Sequence, residues 1–259
     1  MIGRPELDAL VCDMDGVVYR GDEAIPGVAE SVSRWKARGK RIVFCTNNSH
    51  HTLSSYVVKL ARAGIDATEG DVVSSAAVLT EVLKERGALG RTALAVGGEG
   101  LRAALADAGV VVDDADDMKG IDYVVVGWDV RFDYRKMRRA CKAVRAGAEL
   151  LATNSDATFP APDGLWPGTG AILASIEVSG GRRAEVLGKP HAPMMDAVAR
   201  RLEGCERIGI VGDRPDTDLA GGIARGWTTI LVTSGVTSPE EAAAVTPRPD
   251  YVLGSLAEL

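Results

Sequence analysis

Ala9-Leu10-Val11-Cys12-Asp13-Met14-Asp15-Gly16 is the stretch on which the reading of this chain turns. Four apolar residues, too short a run for a helix, lead directly into two acids and a glycine. That pattern is a buried strand delivering carboxylates at its C-terminal end. Outward from it, a helix is predicted from Gly27 to about Arg38, with Val28, Val32 and Trp35 at helical spacing and Gly39 as its stop. The next strand, Arg41 to Cys45, ends in Thr46-Asn47-Asn48-Ser49. A helix over about Ser54 to Ala63 closes on Gly64, a short strand follows at Val72-Val73, and Ser74-Ser75 can cap a helix running to Arg86. Short β-rich runs alternating with helices predict the α/β class with a mostly parallel sheet.

From about Gly87 the rhythm restarts. Strands are predicted at Ala93–Val96, Tyr123–Val126 and Leu150–Ala152, and helices at about Gly100–Ala108 and Tyr134–Ala146. Asp156 to Gly170, rich in Pro and Gly, is expected to be a long functional loop. Gly180-Gly181-Arg182-Arg183 marks a break. Beyond it come Gly188-Lys189-Pro190, a helix of about Pro193 to Leu202, and a strand Ile208–Val211 that runs into Gly212-Asp213. A helix near Leu219–Ala224 and strands at Thr229–Val232 and Tyr251–Leu253 complete the pattern. Boundaries near 84 and 183 divide the chain into 1–83 plus 184–259 and an inserted 84–183.

The 259 residues suffice for one large or two modest domains. Aromatics are only 5%, so the core must rest on Val, Leu, Ile and Ala, as in helix-covered parallel sheets. A net charge of −6 offers no basic field for a nucleic-acid backbone. It does not exclude a small phosphate ester, because one bound cation reverses the local field. Cys12, Cys45, Cys141 and Cys205 form no CxxC pair and are expected to be thiols in a reducing compartment. Met1 to Asp8 lacks a signal-peptide pattern, and no apolar run reaches the ~18 residues of a membrane span. A cytoplasmic location is the expectation.

Polar clusters stand where strands end or just past a break. Asp13 and Asp15 follow the first strand, Thr46 and Asn47 the second, and Asp213 and Asp218 the strand Ile208–Val211, while Lys189 stands after Gly188. Ligands of open α/β sheets gather at such strand ends. Taken singly, Asp-x-Asp-Gly is a turn, Thr-Asn-Asn a helix cap and Lys189 a surface residue. Taken together they describe one site. Four carboxylates there repel each other unless a cation binds among them, and all-oxygen ligands suit Mg²⁺. Three histidines without paired spacing do not make a zinc site. His50 and His51 are expected on an exposed loop, His191 at a helix start, and Trp128 and Tyr134 in packing.

The ordered set Asp13-Met14-Asp15-Gly16, Thr46-Asn47-Asn48, Gly188-Lys189-Pro190 and Gly212-Asp213-Arg214-Pro215-Asp216-Thr217-Asp218 closely resembles the haloacid dehalogenase superfamily of phosphatases. The insertion between Thr46 and Lys189 resembles the subfamily with a large α/β cap, the NagD-type, 4-nitrophenyl phosphate, phosphoglycolate and glycerol-phosphate phosphatases. Thr153-Asn154-Ser155-Asp156, Phe159-Pro160 and Pro167-Gly168-Thr169-Gly170 are similar to the cap pattern of these enzymes.

The resemblance implies a Rossmann-like, doubly wound core with an inserted cap. It implies Asp13 as nucleophile, Asp15 as general acid/base, and Mg²⁺ held by Asp13, the Asp15 backbone carbonyl and Asp213. Asp218 would act on a metal-bound water or on Lys189, while Thr46, Asn47 and Lys189 bind the phosphoryl group. Asp156, Phe159 and Trp166 are candidates for selecting the leaving group, Arg214 is a candidate for orienting a carboxylate or lining the entrance, and a homodimer through the cap is expected.

Within the superfamily, a dehalogenase needs no acid two residues past its nucleophile, and the ion-pumping ATPases carry lysine where this chain has Met14. The expected partner is a small phosphorylated metabolite. A phosphotransferase or phosphomutase on the same core, or a non-catalytic phosphometabolite-binding protein, stays open at this point.

Overall fold

The structure, a computed structural model, describes residues 6–113, 115, 120–161 and 164–259. In chain order the strands are β1 (Ala9–Cys12), β2 (Tyr19–Arg20), β3 (Glu23–Ala24), β4 (Arg41–Thr46), β5 (Val72–Ser74), β6 (Thr92–Val96), β7 (Val111–Val112), β8 (Tyr123–Val126), β9 (Glu149–Ala152), β10 (Thr158–Ala161), β11 (Gly164–Pro167), β12 (Glu185–Val186), β13 (Ile208–Gly212), β14 (Thr228–Val232) and β15 (Tyr251–Leu253). The helices are α1 (Val28–Ala37), α2 (Leu53–Arg62), α3 (Ser75–Glu85), α4 (Glu99–Asp107), α5 (Tyr134–Arg145), α6 (Thr169–Gly180), α7 (Ala192–Arg201), α8 (Ala220–Arg225) and α9 (Pro239–Ala244).

The chain divides into two compact units: Met1–Thr46, Ser54–Val73 and Lys189–Leu259 form the first, Asn47–Leu53 and Ser74–Gly188 the second. The second unit is therefore wider than residues 84–183. It takes in α3, whose Thr80 hydroxyl donates to the carbonyl of Ala104 in α4 at 3.0 Å. Ser74 caps α3, accepting from the Ala77 N–H.

The first unit is built on a six-stranded sheet in the order β15-β14-β13-β1-β4-β5. β1 is parallel to β4 on one side and β13 on the other, and Cys12 is level with both Phe44 and Val211. The chain lays strands outward from β1 to β5, then returns to the other side of β1 and continues outward to β15. β1 and β13 thus flank the point where strand order reverses, and the carboxyl end of that pair is where such sheets open a crevice. β1 is buried at every position, as a central strand covered on both faces must be.

The second unit has a five-stranded parallel sheet, β12-β9-β8-β6-β7. Leu94, Val96, Val124, Val126, Leu150 and Ala152 from this sheet pack with Ala140, Val144, Leu173 and Ile176 of α5 and α6. This second core is aliphatic, whereas the first unit also buries the aromatic rings of Tyr19, Phe44 and Tyr56.

The stretch expected to be one long loop, Asp156 to Gly170, is instead an antiparallel hairpin of β10 and β11 followed by the start of α6. Prolines 160 and 167 obscure it in the sequence, yet a two-stranded ribbon has outer edges on which a missing N–H costs nothing. Tyr134, expected in packing, is 74% exposed at the start of α5. No helix among the described residues is long and apolar enough to cross a membrane.

Candidate active site

Because the central strands of the first unit are in register, their ends deliver side chains to one place. Asp13 directly follows β1, Thr46 ends β4, and Asp213 directly follows β13. The turn after Asp13 is closed by the Met14 carbonyl, which accepts from the N–H groups of Val17, Val18 and Tyr19, and by the Gly16 N–H donating to Tyr19. Gly16 adopts φ +82, and a Cβ there would lie 2.2 Å from Asp213 Oδ2; a Cβ on Gly235 would lie 1.9 Å from the same oxygen. Glycine is required at both positions for the backbone to close on the Asp213 carboxylate.

Lys189 reaches into this cluster. Its Nζ donates to Asp13 Oδ1 at 2.7 Å, Asp218 Oδ1 at 2.6 Å and the Cys45 carbonyl at 3.1 Å. All three donor positions of a buried ammonium are thereby used. Asp218 also accepts from the Arg214 N–H, and Asp213 from the Val236 N–H at 2.7 Å. The Thr237 hydroxyl donates to the Asp213 carbonyl, which ties the 234–237 loop to the strand end. No pattern in the sequence had marked that loop.

The electrostatics follow from burial. Asp13 is only 8% exposed, Asp213 2% and Asp218 1%. Desolvation raises the Asp13 carboxyl to about 6, against the pull of Lys189 and with the push of Asp213. Desolvation and Asp218 raise Asp213 to about 6, and desolvation and Asp13 raise Asp218 to about 7. Desolvation alone would lower Lys189, but the Asp13 and Asp218 carboxylates outweigh it and hold the ammonium charged. The Asp15 carboxyl is raised by desolvation, opposed chiefly by Lys59. Cys12 and Cys45 are buried thiols whose ionisation desolvation pushes up, Cys45 to about 12, so neither is a nucleophile.

Three buried carboxylates against one buried ammonium leave an excess of negative charge. One ligand oxygen from each of Asp13, Asp213 and Asp218 lies within 4.8 Å of the others. A cluster of oxygens with surplus negative charge fits a hard cation.

Thr46 is buried at the end of β4 in the first unit. Asn47 groups with the second unit, where its Nδ2 donates to Asp156 Oδ1 at 3.0 Å and Oδ2 at 3.3 Å. Its carbonyl accepts from the Ser75 hydroxyl at 2.6 Å and the Asn154 amide at 2.7 Å. Asp156 is thus joined to Asn47 by a bidentate contact invisible in the sequence. Phe159 and Trp166 face each other across the β10–β11 hairpin, and Phe159 stacks on Trp128 with centroids 4.1 Å apart. The Trp128 indole N–H donates to the Pro167 carbonyl. His191 stands at the N-cap position of α7 without a side-chain capping bond.

This constellation has counterparts in known proteins. Residues 10–111 match the haloacid dehalogenase-like hydrolase family and residues 186–259 the HAD-hydrolase-like family. An acid sugar phosphatase of Staphylococcus aureus is 34% identical over 252 residues, 96% of this chain and 95% of the relative. A p-nitrophenyl phosphatase from Archaeoglobus fulgidus superposes with a TM-score of 0.88 at 31% identity, covering 98% of each chain. A glycerol phosphate phosphatase from Mycobacterium tuberculosis, solved in complex with magnesium, gives 0.87 at 33% identity, covering 97% of this chain and 75% of the other. The chain belongs to the haloacid dehalogenase-like hydrolases and is a phosphatase of that family.

Proposed function

We propose that this phosphatase is a Mg²⁺-dependent phosphomonoesterase that cleaves a small phosphorylated metabolite through an aspartyl-phosphate on Asp13. The observation that carries the reading is the Lys189 ammonium bridging Asp13 and Asp218 beside a third buried carboxylate, Asp213. An ammonium held this way fixes the Asp13 carboxylate and can meet a phosphoryl oxygen by exchanging one of its three bonds.

In this reading an Asp13 oxygen attacks phosphorus while the bond from phosphorus to the ester oxygen breaks. Asp15 gives its proton to that departing oxygen. It then takes a proton from the water that attacks the acyl-phosphate, releasing phosphate and restoring Asp13. Burial raises the Asp15 carboxyl against the opposing pull of Lys59, a shift in the direction a general acid needs. Thr46, Asn47 and Lys189 bind the transferring group, and Asp218 holds Lys189. Asp13, the Asp15 carbonyl and Asp213 would hold Mg²⁺, which when bound offsets the charge of the carboxylates and the phosphoryl group. Because charge on that group spreads over its equatorial oxygens, positioning and electrostatics carry most of the rate.

Residues 1–83 and 184–259 serve as the catalytic core in this reading, and 84–183 as the cap, with Asp156, Phe159 and Trp166 selecting the leaving group. Pairing of two copies through the cap and a cytoplasmic setting belong to the same reading; the four free thiols support the latter.

The test is phosphate release from a panel of phosphate esters with Mg²⁺. Wild type is expected to turn over at least one ester, and Asp13→Asn to abolish release. Unchanged turnover in that variant overturns the reading.

A further inference from the structure

Lys59 has no part in the mechanism above, yet its placement is specific. It lies on α2 one turn after the buried Tyr56. Its Nζ sits 3.7 Å from the centroid of the Tyr19 ring and 3.8 Å from Asp15 Oδ1. Tyr19 is 1% exposed, so one face of the cation rests on an aromatic surface sealed from water. Asp15 and Tyr19 are themselves bridged backbone neighbours, tied by the Gly16 N–H donating to the Tyr19 carbonyl at 2.7 Å. Acid, ring and ammonium form one block. An ion pair in open solvent contributes little. This pair is about four-fifths buried on both sides, with side-chain exposures of 23% and 21%.

We infer that Lys59, seated on Tyr19, is a positioning residue that holds one oxygen of Asp15 and leaves the other to serve the departing ester oxygen. The inference rests on the phosphatase mechanism proposed above. A general acid on a free χ rotor spends most of its time misaligned, and a fixed cation on one oxygen removes that freedom. The Tyr19 hydroxyl has no hydrogen-bond partner among the described residues. The ring face, and not the phenol, is therefore the part in use.

The leaving group provides the test. An alkyl phosphate expels a strongly basic oxygen and needs the proton; 4-nitrophenyl phosphate expels a weakly basic one and scarcely does. Lys59→Met is expected to lower kcat on the best alkyl ester by about 30-fold or more, a large part of the ~10²–10⁴-fold that general acid catalysis contributes. On 4-nitrophenyl phosphate the loss should be several times smaller. Lys59→Arg should restore most of the alkyl activity, Tyr19→Phe should behave as wild type, and Tyr19→Leu should follow Lys59→Met. In an Asp15→Asn background, Lys59→Met should cost nothing further.

Equal losses on both esters, an undiminished alkyl kcat, or a full further loss in the Asp15→Asn background would each overturn the role. Lys59→Gln repeats the comparison if the Met variant folds poorly. Wild type inactive on every ester, or an active Asp13→Asn, would instead bring down the underlying mechanism, and the role of Lys59 with it.

Discussion

Among the described residues there are two parallel sheets, and one of them carries a cluster of three buried acids. In the first unit the adjacent ends of β1 and β13 present Asp13 and Asp213, with Asp218 and Lys189 between them. In the second, β6, β8 and β9 lead into Gly97, Gly127 and Thr153, and Asp129, two residues past Gly127, is committed to Lys136 at 2.7 Å and to a local turn. Parallel architecture therefore supplies a place for chemistry without supplying the chemistry. A reversal of strand order and side chains of both charges at one strand end make the difference. Two aromatic side chains of the second unit, Phe159 and Trp166, stand on a hairpin that is largely open to solvent, with Leu165 62% and Trp166 43% exposed.

The contrast breaks most sharply at Lys189. Lys189→Met leaves Asp13 and Asp218 buried without their cation, which costs about 3–5 kcal/mol for an uncompensated buried charge. Denaturant unfolding should show that loss, and phosphate release should vanish. A variant as stable as wild type would mean that the cluster is not an electrostatic unit.

A smaller effect belongs to pH and divalent cations. Asp13, Asp213 and Asp218 are all raised from 3.8, to about 6, 6 and 7. The folded state then holds protons that the unfolded state has released, so without a cation these groups cost stability progressively as pH rises from about 4 to 7. Mg²⁺ competes with those protons and should raise Tm more at pH 7.5 than at pH 5. Equal shifts at the two values would remove the carboxylates from the metal site. The smallest effect is expected on the hairpin. Trp166→Ala should change stability by less than about 0.5 kcal/mol, as for other exposed positions, while shifting KM between esters. Unchanged KM across the panel would leave the hairpin without a part in selection.

The strand ends of the first unit were legible because a strand that stops in an acid advertises both facts at once. Asp13 and Asp213 could be read that way, and Lys189, which the fold places on Asp13, followed from order along the chain. The segment Thr169–Gly180 was not read as a helix, because Ala, Ile, Leu and Val fill it without a polar stripe to reveal a period. α9 did carry a signal: Ser238 and Glu241 form a capping box, three residues apart just before a run of alanines. Lys59 carried none, since a lysine on a helix reads as solvated until Tyr19 and Asp15 are folded against it. The Asn47–Asp156 contact was equally hidden, because 109 residues separate the two.

The sheet order also has a consequence for how the chain is made. β1 pairs early with β4, but its other neighbour, β13, lies about 200 residues downstream, with Ala9 opposite Ile208. At the ~5–20 residues per second of a ribosome, roughly 10–40 s pass between the emergence of one strand and the other. Through that interval the central strand offers an open, fully apolar edge, and Asp13 waits for Lys189, which is 176 residues away. The nascent chain thus carries, for that interval, an unpaired edge on a strand that is later buried at every position.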